Sequence, residues 1–217
     1  MNALWTSEEI AAAIGGTAHG DFEVSGVAFD SREVEPGHLF VAMKGEETDG
    51  HLFLDKAFAA GAAGAIVSEE VAQPHVRVAD TNAALNALGR AARTRTSARI
   101  CGVTGSAGKT GTKEALFAAL DRAGPGEAHR SVKSYNNHVG VPLSLARMPR
   151  ETRFGLFEMG MNHAGELAAL TRLVRPHVAI VTAIASAHRA FFASEEEIAD
   201  AKGEIFQGLE EGGIALV

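Results

Sequence analysis

The pattern of the chain predicts an α/β protein in two parts, on three observations. Short apolar runs alternate with segments of helical period, the arrangement of strands joined by helical crossovers. A glycine-rich turn, Gly105-Ser106-Ala107-Gly108-Lys109-Thr110, stands between an apolar run and a helical pattern, which makes the second part a P-loop NTPase-like parallel-sheet domain. The basic, polar stretch 93–99 (RTRTSAR) separates two halves of different style, giving a small N-terminal α/β domain at 1–95 and the parallel-sheet domain at 96–217. The chain ends on Gly213-Ile214-Ala215-Leu216-Val217, which reads as a strand just beginning, so the second domain is expected to be truncated on its C-terminal side.

Taken in order, Thr6 and Glu9 form a capping box ahead of Ile10–Ile14, and Gly15-Gly16 stops that helix. Strands are expected at 23–29 and 38–43, split by Pro36-Gly37, then a helix over 53–60 ending at Gly61. A strand at 65–68, another at 75–79 and a helix over 82–93 complete the first domain. In the second, 99–104 is an apolar strand, and the glycine turn leads into a helix from Lys109 to about Arg122. Further apolar strands are expected at 153–159 and 177–184. Ser194 and Glu197 form a second capping box, opening a helix over 195–209.

Composition excludes several classes. At 217 residues the chain holds one large or two modest domains, at roughly 100–200 residues each. A formal charge of −7 argues against a nucleic-acid binder, which shows a basic face. Phosphate ligands remain open, because backbone N–H groups and one lysine hold phosphate in an acidic protein. The lone Cys101 rules out an internal disulfide framework and a cysteine zinc site, and reads as a small core residue. Glu8 and Glu9 stand where a secretory leader would be basic, and the longest apolar runs, 57–67 and 178–187, are too short to span a bilayer. A cytoplasmic protein is expected.

The chemistry concentrates at the carboxyl ends of the predicted parallel strands, where ligands of such sheets sit; this picks out Glu158, Asn162 and His188 beside the glycine loop. Val103 stands where the strict Walker pattern has its first glycine, but the rest of that pattern is intact. Its glycines let the backbone approach phosphate, Lys109 reaches the terminal phosphates, and the Thr110 hydroxyl binds Mg²⁺. An ordinary glycine-rich turn is the plain alternative. Glu158 closes an apolar strand as a magnesium ligand or as a strand-end carboxylate facing water. His188 reaches the same cleft or is an ordinary loop histidine. Lys202 falls on the apolar stripe Ile198, Ala201, Ile205, Leu209, while Asp200 and Glu204 point away. Such a lysine either snorkels to the edge or faces a site with its pKa lowered by burial.

Three runs carry a resemblance. They are Thr104–Thr110 with Thr112-Lys113-Glu114, Tyr135-Asn136-Asn137-His138-Val139-Gly140-Val141-Pro142, and Glu158-Met159-Gly160-Met161-Asn162-His163-Ala164-Gly165-Glu166. Together they resemble the Mur ligases, and Ala201-Lys202-Gly203-Glu204-Ile205-Phe206 and Asp30-Ser31-Arg32 also fit. The resemblance spans nearly the whole chain in order. It implies ATP-driven amide formation in peptidoglycan synthesis, with UDP-N-acetylmuramoyl-tripeptide as the carboxylate and D-alanyl-D-alanine as the amine. It further implies ATP held by Gly105, Ser106, Ala107, Gly108, Lys109, Thr110 and Gly111, and Mg²⁺ by Thr110, Glu158 and His188. Lys109, Glu158, His188 and Lys202 form the catalytic set, with Lys202 as a carbamate. Asn137 and His138 lie near the muramoyl nucleotide, Ser31 and Arg32 near its uridine diphosphate, in a monomer that binds no nucleic acid. Relatives carry an acidic residue where this chain has Ala190, and the family's third domain is missing, so the chain alone is expected not to turn over. Competing readings are another Mur ligase or a folylpolyglutamate synthase-like ligase, a UDP-sugar-binding module without turnover, and a P-loop kinase or GTPase, the last weakened by the lack of a guanine-reading motif.

Overall fold

A computed structural model of the chain describes residues 3–45, 48–185, 192 and 194–217. They fall into two compact units that divide between Ala91 and Ala92.

The first unit begins with β1 (Trp5–Thr6) and α1 (Ser7–Ile14). Thr6 caps α1 reciprocally with Glu9: each backbone N–H donates to the other's side chain at 3.1 Å. Gly15 ends the helix in the left-handed region at φ 65°. There follow β2 (Thr17–His19), β3 (Glu23–Val24), β4 (Gly26–Ala28), β5 (His38–Val41), α2 (Leu54–Ala59), β6 (Gly64–Val67), β7 (His75–Arg77) and α3 (Thr81–Thr94). The sheet order is β2-β7-β6-β5-β4, parallel throughout except for the antiparallel edge pair β2–β7. Phe40, Ala42, Ala65 and Val67 on one side of this sheet pack with Leu54 and Ala57 of α2, which is why the two central strands read as continuous apolar runs.

The strand expected over 23–29 is two strands in different pairings. β3 joins β1 antiparallel, and β4 lies parallel to β5. Between them Ser25 donates its N–H to Gly37 at 2.9 Å, outside either ladder. Helix α3 runs on to Thr94, so the basic stretch expected as a linker begins in helix.

The second unit contains β8 (Arg99–Thr104), α4 (Lys109–Ala123), β9 (Ala128–Arg130), α5 (Gly140–Ala146), β10 (Phe154–Glu158), α6 (Glu166–Val174), β11 (Val178–Val181), α7 (Glu195–Gly203) and β12 (Ile214–Leu216). Its sheet, β12-β11-β8-β10-β9, is parallel at every pairing. Central β8 has β10 on one side and β11 on the other, so the carboxyl ends of three adjacent strands come together at residues 104, 158 and 181. Cys101 on β8 is partly buried, and that burial pushes its thiol up to about 11.

Two elements differ from expectation. The helix expected over 195–209 is α-helical only to Gly203 and tightens into a 3₁₀ turn over Glu204–Gly208. Helix α5, expected only as a helix-like segment without bounds ahead of the strand at 153–159, is buried along its whole length, so no polar face marks its period. Its Pro142 is third in the helix, where no intrahelical N–H is needed. Among the described residues no helix is long and apolar enough to cross a membrane.

The C-terminus of α6 is satisfied by Arg93. Its guanidinium donates to the carbonyls of Val174 at 2.7 Å and Arg175 at 2.8 Å and pairs with Glu210 at 3.2 Å, with the side chain almost wholly buried. Arg93→Ala strands both carbonyls and removes the packed stem, so urea denaturation should show a loss of about 2–4 kcal/mol.

Candidate active site

The site is built where β8 turns into α4. Gly105 and Gly108 make the turn possible in different ways. Gly108 has φ 83° and precedes the first helical residue, a backbone state that costs glycine nothing. At Gly105 a Cβ would overlap the Thr182 hydroxyl, so the residue after β11 closes against the loop backbone itself. That hydroxyl bonds the carbonyl oxygens of Ala107 at 2.5 Å and Thr104 at 3.2 Å. Ser106 extends the strap: its N–H donates to Ala183 at 2.8 Å, its hydroxyl donates to the Ala185 carbonyl at 3.0 Å, and it accepts from Ala185 N–H at 3.1 Å. The loop that follows the second apolar strand thus fixes the shape of the glycine turn.

Lys109 opens α4 and donates from Nζ to the Gly105 carbonyl at 2.7 Å. One residue on, the Thr110 hydroxyl donates to Glu158 Oε2 at 2.8 Å. Glu158 ends β10 almost completely buried, which removes the reading of a strand-end carboxylate facing water. Its other oxygen accepts from Asn136 Nδ2 at 2.8 Å. The compensating charge is Lys113, which the sequence reading quoted within a motif without giving it a role. Its Nζ lies 3.9 Å from Glu158 Oε2 and donates to the carbonyls of Ser131 at 2.8 Å and Lys133 at 3.2 Å. With its side chain fully buried, Lys113 joins α4 to the segment after β9 and places a cation beside the carboxylate. A signal was available: Lys113 stands four residues after Lys109, hence on the same helix face.

A cavity of about 440 Å³ opens on this arrangement. Gly105, Lys109, Asn136, Asn137, His138 and Asn162 line it, and so does Lys202 from α7. Asn137 also accepts at Oδ1 from the N–H groups of Val139 and Gly140, at 3.2 and 2.9 Å, and so turns the chain into α5. Lys202 is buried on the stripe with Ile198, Ala201 and Ile205. Burial, with the positive charge of Lys109 second, pushes its amine down to about 8. Glu204, expected to point away, instead reaches the start of α6 and accepts from the N–H groups of Gly165 at 2.7 Å and Ala168 at 3.0 Å. Those donors have no intrahelical partner, and the helix dipole favours a carboxylate there. His188 and Ala190 lie outside the described residues.

Ser31 and Arg32 line a separate cavity of about 470 Å³ in the first unit, with Asp30, Phe53 and Lys56. Arg32 forks onto Asp30 at 2.6–3.1 Å, and this bond holds the Asp30 carboxyl at about 2. The structure therefore gathers Lys109, Thr110, Glu158, Asn137, His138 and Lys202 in one unit, and Ser31 and Arg32 in the other.

The Mur ligase middle domain matches residues 103–217, more than half of the chain, and a Mur ligase family domain described as catalytic matches 23–111. The chain belongs to the Mur ligase family. Among curated relatives, the UDP-N-acetylmuramoyl-tripeptide–D-alanyl-D-alanine ligase of Bacillus subtilis is 39% identical over 97% of this chain, and that of Escherichia coli is 41% identical over 91%. These matches cover 48% and 44% of the relatives, so the chain spans about half the length of the curated relatives it matches. A crystal structure of MurF from Acinetobacter baumannii aligns over 98% of this chain and 48% of its own, with a TM-score of 0.85 at 34% identity. A MurF ligase from Thermotoga maritima in complex with ADP aligns over 89% of this chain and 46% of its own, with a TM-score of 0.73 at 31% identity. As a Mur ligase chain it has the mixed α/β architecture with a parallel second sheet that the sequence predicts.

Lys202 gives a pH test with a definite sign. Its folded pKa of about 8 lies below the ordinary 10.5, so below pH 8 the folded state bears the cost of a buried charge. Between pH 8 and 10.5 the unfolded chain binds the additional proton, and stability rises with pH. Lys202→Met should therefore be more stable than the parent at pH 7, and the difference should shrink steadily toward pH 10.5 in parallel urea melts.

Proposed function

We propose that this chain is the part of an ATP-dependent amide ligase of peptidoglycan precursor synthesis that holds ATP, Mg²⁺ and the acyl substrate. One observation carries the reading. In a Mur ligase chain, the hydroxyl that follows the loop lysine bonds a buried carboxylate, Thr110 to Glu158 at 2.8 Å, and Glu158 in turn bonds Asn136, which lines a cavity with Lys109 and Lys202. The relatives' names supply the substrates: UDP-N-acetylmuramoyl-tripeptide as acyl donor and D-alanyl-D-alanine as acceptor. Residues 1–95 form the muramoyl-peptide domain and 96–217 the ATP domain, in a cytoplasmic monomer.

The reaction proceeds in two displacements. A terminal carboxylate oxygen of the tripeptide attacks the γ-phosphorus, and ADP leaves with the electrons of the broken P–O bond. The amine of the dipeptide then attacks the acyl carbon, phosphate departs, and the amine loses a proton. Most of the protein's work is positioning and charge neutralisation. The backbone N–H groups of 105–111, at a helix N-terminus, hold the phosphates together with Lys109. Thr110 and Glu158, with His188, would hold Mg²⁺. The oxygen donors of Thr110 and Glu158 suit a hard cation, which when bound neutralises phosphate charge. Glu158 is held in place for this by the Asn136 amide at 2.8 Å, with the Lys113 ammonium 3.9 Å away. Asn137 and His138 face the muramoyl nucleotide, and Ser31 and Arg32 its diphosphate. The lowered pKa of Lys202 leaves a neutral amine at slightly alkaline pH, the form that takes up CO₂ as a carbamate.

Lys109→Ala separates the two sites. Calorimetry should show Mg·ATP affinity falling by about 100-fold, or ~2.8 kcal/mol. UDP-N-acetylmuramoyl-tripeptide should bind as before, since its diphosphate contacts belong to the first unit. Unchanged ATP affinity in this variant would overturn the reading.

A further inference from the structure

The first unit carries a second cluster of metal-ligand side chains that the ligase reaction does not use. His19 on β2 and His75 on β7 are directly opposite in the antiparallel edge pair. Their rings stack with centroids 4.5 Å apart and planes within 8°. Glu70, in the turn between β6 and β7, brings its Oε1 to 3.8 Å from His19 Nδ1. One ring nitrogen from each histidine and one Glu70 oxygen all lie within 4.8 Å of one another.

The protonation pattern makes this a ligand set. His75 is almost wholly buried, and its Nδ1 bonds the Gln73 carbonyl at 2.8 Å. A carbonyl only accepts, so Nδ1 carries the proton and Nε2 presents a lone pair. That buried Nε2 has no hydrogen-bond partner among the described residues, and neither has His19 Nε2. Burying a polar nitrogen without a partner costs about 1–3 kcal/mol, and two such nitrogens on directly opposed residues of one edge pair point to a ligand. Arg77 occupies only the other oxygen of Glu70, leaving Oε1 for the histidines.

A neighbouring cluster, Asp49, His51 and Glu69, shows the contrast. There His51 Nδ1 is bonded to Asp49 at 2.5 Å, and its Nε2 accepts from Ser68 N–H at 2.9 Å. Lys44 neutralises both carboxylates, at 3.7 and 3.1 Å. No lone pair of His51 is left, so that cluster is a structural strap.

We propose that His19, His75 and Glu70 bind a late first-row divalent cation of the Zn²⁺ class, which staples the edge strand β2 to β7. Two imidazole nitrogens against a single carboxylate oxygen favour Zn²⁺ over Mg²⁺, which prefers a shell made mostly of oxygen. Tetrahedral bonds of about 2.0–2.1 Å place ligand atoms ~3.4 Å apart. His19 and Glu70 are partly exposed and close that remaining distance by side-chain rotation, while His75 stays fixed by Gln73. Solvent supplies the fourth position.

The test uses the full chain, stripped with a chelator and titrated with ZnCl₂ in excess Mg²⁺, followed by calorimetry and by thermal unfolding. One equivalent should bind and raise Tm. His19→Ala and Glu70→Gln should each weaken that binding by at least ~10-fold, while Glu69→Gln leaves it unchanged. Co²⁺ in place of Zn²⁺ should give a visible ligand-field band that His19→Ala abolishes. His75 is in the core, so the two exposed ligands carry the test. Absence of binding, or binding that survives both His19→Ala and Glu70→Gln, would overturn the proposal.

Discussion

A carboxylate at the end of an apolar parallel strand has to be compensated, and the second unit is organised around how Glu158 is. Three groups from two segments meet it: the Thr110 hydroxyl and the Lys113 ammonium from successive turns of α4, and the Asn136 amide from the chain before α5. Each is costly to bury alone, and together they satisfy one another. The cluster ties the glycine turn to β10 and to the segment after β9. It also leaves a carboxylate beside a hydroxyl, the donor pair proposed to hold Mg²⁺.

Around that cluster the parallel sheet supplies position. Because β10 and β11 flank β8, the loops that leave all three strands face one another. One of them straps the glycine turn through Thr182, Ser106 and Ala185, and another carries Glu158. Helix α7 closes one side with Lys202, while Glu204 two residues on serves as a cap for α6. A short stretch of chain thus delivers an amine of lowered pKa to the cavity and a carboxylate to a helix terminus.

Much of this was legible in the sequence wherever a local signal carried it. The capping box at Thr6, the strand at 99–104 and the helix opening at Lys109 are encoded by residues adjacent to the elements they define. Lys202 stood out because a charge on an apolar stripe is anomalous. What escaped depends on partners distant in the chain. Lys113 looks like an ordinary helix lysine until Ser131, Lys133 and Glu158 surround it. Helix α5 hides its period because it is buried all round. The short strands β1, β2 and β9, two or three residues each, exist only through their neighbours' hydrogen bonds. His19 and His75 are more than fifty positions apart and become a pair only through strand register.

The overlap between a Cβ at position 105 and the Thr182 hydroxyl also bears on how the sequence is free to drift. Residue 105 remains glycine for as long as residue 182 keeps a hydroxyl pressed into the loop. Shortening residue 182 to alanine or glycine would remove that hydroxyl, and with it the bond that holds the Ala107 carbonyl. The φ of 152° at residue 105 would still disfavour any side chain there. The glycine of the loop is thus held twice, once by its own backbone and once by a residue seventy-seven positions downstream.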